Sequence, residues 1–88
     1  MFDKFKSNEK QLTEFATLLG KMNVTDFIGL AKLLEVHVFD NDRKDEKGHP
    51  MPRSGDAIIE DCIIAFDQSS RKYRRDILSI MRKAVKEK

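Results

Sequence analysis

The segment from Arg71 to Lys88 constrains the fold more than any other part of the chain, because it carries two patterns at once. Its apolar residues recur at spacings of three and four, the period of a half-buried α-helix. They are Tyr73, Ile77, Ile80, Met81 and Ala84. The same segment holds eight basic residues and two acidic ones, a local charge of +6. The pattern therefore predicts a helix at 71–86 that packs by one side and presents positive charge on another.

The basic residues of this helix are the first candidates for a binding site. At about 100° per residue, four of them share an arc of about 60° that points away from the predicted apolar stripe; they are Arg71, Arg75, Arg82 and Lys86. Arginine favours bidentate contacts with phosphate or carboxylate groups. The sequence thus predicts contacts with a nucleic-acid backbone or with an acidic protein face, and the full candidate set is Arg71, Lys72, Arg74, Arg75, Arg82, Lys83 and Lys86.

Length and composition indicate one domain over residues 1–88. A hydrophobic content of 40% beside 36% charged residues is typical of a folded chain and not of a disordered one. The single cysteine excludes an internal disulfide framework, which favours a reducing compartment. The sequence shows no signal peptide and no apolar run of the length that a transmembrane helix needs, so we expect a cytoplasmic protein without membrane contact.

Apolar periodicity predicts three further helices. The first is expected at 9–21, after a flexible tail at 1–7. Thr25 is expected to cap the second, which carries few charges and should be the most buried element. Ser54 is expected to open the third, at 55–67, and either Ser69 or Ser70 to cap the basic helix. The core stripe of the third helix is predicted to contain Ile58, Ile59, Cys62, Ile63 and Phe66.

Between the second and third helices, residues 40–53 are polar and include Gly48, Pro50 and Pro52, which is typical of a surface loop. A small two-stranded β element around residues 36–52 is compatible with this composition and with the alternation that begins at Val36. Four amphipathic helices in 88 residues predict an all-α fold, a small four-helix bundle-like domain with this β element as an accessory.

The charge distribution leaves a rival to ligand binding open. Residues 49–68 sum to −3 and residues 69–88 to +6, so an acidic third helix could neutralise the basic helix within the fold. The acidic partners expected in that case are Asp56, Glu60 and Asp61.

Catalytic and metal-binding patterns are weak. Residues 30–36 resemble the start of a helix-turn-helix, but the acidic segment that follows has no core stripe for a recognition helix. Asp40 and Asp42 are spaced as in a calcium loop, yet Lys44 stands where the third ligand belongs. Cys62 lies within an apolar stripe, and His37 and His49 have no ligand spacing around them. We therefore expect no enzyme activity, no cofactor and no metal.

The order of segments resembles small uncharacterised proteins of phages and prophages of Gram-positive bacteria. The resemblance covers residues 24–85 and rests on the apolar run 27–34, the Asp40-rich loop, the acidic third helix and the basic run 71–82. It implies an accessory protein of the bacterial host cytoplasm that binds a macromolecule.

Two modes of binding remain open. In one, the basic helix engages an anionic surface. In the other, the protein inhibits or adapts a host enzyme or defence complex through the loop 40–53 and the third helix, by way of Asp42, Asp45, Glu46, Glu60 and Asp61. A homodimer is compatible with both.

Overall fold

The computed structural model describes the backbone of residues 2–86 and the side chains of residues 9–86. The chain is mostly helical, as predicted, with one two-stranded antiparallel sheet between its helices. The bundle-like arrangement of the helices stays a prediction. The elements in chain order are α1 (Phe2–Lys21), α2 (Val24–Leu33), β1 (Phe39–Lys44), β2 (Pro50–Pro52), α3 (Gly55–Gln68) and α4 (Arg71–Lys86).

The first two helices begin earlier than the sequence predicts. α1 is helical from Phe2 and so includes the segment 2–7 that we expected as a tail, whose flexibility stays a prediction. α2 is capped by Asn23 and not by Thr25: the Asn23 side-chain oxygen accepts a 2.7 Å hydrogen bond from the backbone N–H of Asp26. Asparagine and threonine are both good capping residues, and Asn23 and Thr25 are only two positions apart. Capping propensity alone therefore could not decide which of them starts the helix.

Residues 39–52 form a β-hairpin on the surface, which confirms the accessory β element. β1 pairs with β2 antiparallel, with Phe39 opposite Pro52 and an irregular register after Asp40. The turn is closed by the Asp45 carboxylate, whose Oδ1 accepts 2.9 Å hydrogen bonds from the N–H groups of Lys47 and His49. Gly48 adopts φ +83°, a conformation that glycine tolerates without steric cost.

The later helices follow their predicted bounds closely. Ser54 caps α3 by accepting from the N–H of Ala57, and Ser70 Oγ accepts from the N–H of Tyr73 at the start of α4. Phe15 of α1 and Phe66 of α3 stack at the centre of the core with ring centroids 4.2 Å apart. The core draws on all four helices and contains Phe15, Leu18, Leu30, Ala31, Leu34, Ile58, Cys62, Phe66, Ile77, Leu78 and Met81.

Burial differs from the sequence prediction in α2 and α3. α2 is not the most buried helix: it contributes only Leu30 and Ala31 to the core, while Val24 and Leu33 are exposed. In α3, Ile59 is exposed although its spacing placed it in the stripe. Cys62 is fully buried, as predicted, and this burial, followed by the charge of Asp61, raises the pKa of its thiol to about 11.

Candidate anion-binding surface on α4

The buried side of α4 is rotated from the side that the apolar spacing predicts. The structure buries Arg74, Ile77, Leu78 and Met81, whereas Tyr73 and Ile80 are exposed. On a helical wheel this shifts the centre of the buried stripe by roughly 65°. As a consequence, the column formed by Arg71, Arg75, Arg82 and Lys86 lies on the flank of the helix and not directly opposite the core.

Arg74 is the largest departure from the predicted site. Its side chain is only 8% exposed, and its guanidinium donates to Gln11 Oε1 of α1 at 2.8 Å. The same group donates to the backbone carbonyls of Asp67 and Ser69 at the end of α3. The last turn of α3 contains no basic residue of its own, so Arg74 supplies the positive charge that a helix C-terminus favours. Arg74 therefore joins three helices, and we leave it out of the proposed contact set.

Arg82 is exposed but paired. Its guanidinium forms a two-pronged ion pair with the carboxylate of Glu14 on α1, and the Nη2–Oε1 distance is 2.7 Å. The hydrogen bond from Arg82 lowers the pKa of Glu14, and the same bond raises the pKa of Arg82. A guanidinium that holds one carboxylate in this geometry has the fork that also matches a phosphate.

The remaining basic residues of the predicted set are exposed on α4, and they occupy two sides of the helix. By helical spacing, Arg71, Arg75 and Lys86 share a column with Arg82, and Arg82 reaches Glu14 of α1. Lys72 and Lys83 lie roughly 60–90° further round the helix, away from α1. The seven predicted residues therefore fall into three groups. Arg74 is buried and structural, the basic column remains exposed, and Lys72 and Lys83 form an exposed pair outside the column.

Two lysines of α1 extend the basic column. Lys10 and Lys21 are spaced from Glu14 by four and seven residues, so all three share one side of α1. Because Glu14 reaches Arg82, this side of α1 faces the column of α4. We call the surface formed by Lys10, Lys21, Arg71, Arg75, Arg82 and Lys86 the basic edge. Sequence reasoning missed the α1 contribution, although the positions of Lys10 and Lys21, four residues before and seven residues after Glu14, were a usable signal.

The expected neutralisation by α3 is not what the structure shows. Asp56 and Glu60 are exposed, and Asp61 pairs with Arg53 at 2.7 Å. Arg53 also donates to the carbonyl of His37 at 2.8 Å, which ties the hairpin to α3. The acid that meets α4 comes instead from α1, through Glu14.

The acidic residues predicted for the alternative protein-binding site do not form one cluster. Asp45 closes the hairpin turn, and Asp61 is engaged by Arg53. Asp42, Glu46 and Glu60 are exposed. An open depression of about 570 Å³ brings Asp42 and Asp61 to one surface at the base of the hairpin, but Glu46 and Glu60 do not line it.

Within residues 9–86, no group of three or more histidine, cysteine, aspartate or glutamate side chains is arranged to hold a metal ion. In the part of the chain that the structure describes, no helix is both long enough and apolar enough to cross a membrane. Comparison of the chain with protein-family models, with curated proteins and with solved structures finds no match in any of the three. The resemblance to phage proteins therefore stays a prediction.

Proposed function

We propose that the protein is a non-enzymatic binding protein that holds the phosphate backbone of a nucleic acid along its basic edge. In this proposal it is an accessory protein of phage type that acts in a bacterial cytoplasm. The observation that carries the proposal is the exposed column of Arg71, Arg75 and Lys86 on α4, with Lys10 and Lys21 beside it on α1.

Three physical features support a backbone contact. The column extends roughly 22 Å along α4, at about 1.5 Å per residue, which suits an extended polyanion better than a single small anion. Exposed lysine and arginine side chains neutralise phosphates and release condensed counterions, which favours binding at low salt. Tyr73 lies on the opposite side of α4 and donates its hydroxyl to the carbonyl of Leu33, so among the side chains of residues 9–86 no tyrosine offers the edge a stacking platform for bases. Binding should therefore be insensitive to sequence.

The test measures binding of mixed-sequence duplex and single-stranded DNA to the full chain over a series of salt concentrations. We expect the affinity to fall steeply with salt. The double variant Arg75→Ala/Lys86→Ala should weaken binding of every sequence and reduce the salt slope by about 2, since each lost phosphate contact removes about 0.9.

The matched control is Arg43→Ala/Lys47→Ala, which removes the same charge from the exposed hairpin. Its salt slope should equal that of the unmodified protein. Equal losses in both double variants would mean that net charge alone attracts the DNA and would contradict a defined edge. Absence of binding at low salt would overturn the phosphate proposal and leave an acidic protein surface as the partner of this edge.

A further inference from the structure

A groove of about 230 Å³ lies between α2 and α4, on the side of α4 that faces away from the basic edge. Its walls include Met22, Gly29, Leu33, Ile80 and Ala84. Apolar side chains are unusually open here: Leu33 is 41% exposed and Ile80 is 53% exposed. A Cβ added at Gly29 would meet no atom within 4 Å, so this position leaves space in the groove. The groove can therefore accept a side chain from outside.

The two helices that form the groove run in roughly opposite directions. Tyr73, in the first turn of α4, donates a 3.1 Å hydrogen bond to the carbonyl of Leu33, the last residue of α2. Thr25 in the first turn of α2 and Ala84 in the last turn of α4 line the same groove. Residues late in α2 therefore lie level with residues early in α4, and residues early in α2 lie level with residues late in α4.

Asp26 lines the groove, and helical spacing places further charged residues on its two helices in a complementary order. From the Tyr73 end, the outer side of α4 presents Lys72, Asp76 and Lys83. From the same end, α2 and the turn after it present Glu35, Lys32 and Asp26. At each level the sign on one helix is opposite to the sign on the other. Within residues 9–86, none of these six takes part in the ion pairs that the structure shows, which are Arg53–Asp61 and Glu14–Arg82, or in the contact between Asp45 and His49.

We propose that this surface binds a second copy of the chain, related by a two-fold axis that runs parallel to α2 and α4. This operation places α4 of each copy over α2 of the other without changing the level along the helices, so the interface is self-complementary. Lys72 then meets Glu35, Asp76 meets Lys32 and Lys83 meets Asp26 of the second copy. Ile80 of each copy enters the groove beside Gly29 of the other.

This dimer is compatible with the proposed nucleic-acid contact. The column of Arg71, Arg75, Arg82 and Lys86 lies roughly 120–180° round α4 from Ile80, so dimer formation leaves it exposed. Two copies of the basic edge on one particle would raise the avidity for a long polyanion. The dimer itself rests on the groove and its charges and does not depend on DNA.

The test is sedimentation velocity of the full chain over a wide concentration range in the absence of nucleic acid. We expect a reversible monomer–dimer equilibrium. Ile80→Ser should weaken self-association by at least about tenfold, because it removes the apolar side chain that enters the second copy. The matched control is Ile64→Ser on α3, an isoleucine that is 46% exposed but lies outside the groove, and it should leave the equilibrium unchanged.

A charge exchange tests the orientation. Lys72→Glu places two acids at one level and should weaken the dimer, and adding Glu35→Lys should restore it. Both changes suit the fold, since they put an acid at the start of α4 and a base just after the end of α2. A chain that remains monomeric at all concentrations would overturn the proposal. A dimer that resists Ile80→Ser would overturn its location, and a failure of the double variant to recover would overturn its orientation.

Discussion

The two sides of α4 are attached to the rest of the chain in different ways. Toward α1, long basic side chains form the hydrogen bonds: Arg74 bonds to Gln11 and to the end of α3, and Arg82 pairs with Glu14. Toward α2, a single Tyr73 hydroxyl bonds to the carbonyl of Leu33, and apolar side chains remain open beside it. The first side is closed by polar contacts within one chain, and the second retains surface that another molecule can cover.

This contrast shows that equal charge does not mean equal availability. Arg74 and Arg75 are neighbours in the sequence, yet one is buried and the other is exposed. A basic helix can therefore use part of its charge to hold the fold and offer only the rest to a ligand.

The largest expected effect comes from Arg74→Ala. Removing this buried guanidinium leaves the Asp67 and Ser69 carbonyls and the Gln11 side chain without their donor, and we expect the free energy of unfolding to fall by about 2–4 kcal/mol. Arg75→Ala, one residue later and exposed, should change it by no more than about 0.5 kcal/mol. Urea unfolding of the two variants measures both values. Equal losses of unfolding free energy would contradict a structural role for Arg74 that Arg75 does not share.

A smaller effect is expected from Tyr73→Phe, which removes the hydroxyl that bonds to Leu33. The loss in unfolding free energy should be about 0.5–1 kcal/mol, since this hydrogen bond is partly exposed to water. Amide hydrogen exchange should become faster in α2 and stay unchanged in α1. Ser79→Ala removes another hydroxyl from the exposed surface of α4 and serves as the control. Faster exchange in α1 would mean that the two sides are not independent.

The smallest change in stability, with the clearest effect on binding, is expected from Glu14→Gln. The Glu14 carboxylate is paired with the Arg82 guanidinium within the basic edge. Replacing this carboxylate by a neutral amide releases the guanidinium for a phosphate and should raise the affinity for DNA. Glu9→Gln removes the same charge from an exposed position earlier on α1 and is the control. An equal gain in both variants would contradict a local role for the pair.

The same pair predicts a pH dependence. The pKa of Glu14 is lower in the folded chain than its ordinary value of 4.5, so the folded state favours the ionised form. The stabilisation that this provides is present above the unfolded pKa and is lost as the pH falls through the folded pKa. The small stability difference between the unmodified protein and Glu14→Gln should therefore be present at neutral pH and disappear in acid.

Local signals in the sequence predicted much of the fold. Ser54 was the predicted start of α3, and the start of α4 was predicted at either Ser69 or Ser70, of which the structure shows Ser70. Cys62 was correctly placed in the core, because caps and apolar spacing act over a few residues. The phase of α4 was wrong, because hydrophobic spacing counts Arg74 as polar and left Leu78 out. Their burial depends on where the end of α3 and the side of α1 lie, which no local pattern contains.

The candidate site was predictable only in part. The column on α4 followed from helical spacing, but its pairing with Glu14 depends on a contact between residues 68 positions apart. The three acids of α3 that were expected to neutralise α4 form no ion pair with it among the described residues, and Asp61 is held by Arg53 at the end of the hairpin. The net charge of a segment does not show which of several acidic residues lies next to α4.

Because Cys62 is fully buried, the rate at which its thiol is alkylated can measure how often the core opens. It is the single thiol of the chain, it has no exposed surface, and burial holds its pKa at about 11. Alkylating reagents attack the thiolate, so in the native protein they must wait until the packing of α3 against α1 and α4 opens. The alkylation rate of each variant, divided by the rate in the unfolded chain, therefore reports how often the core opens, without any added probe.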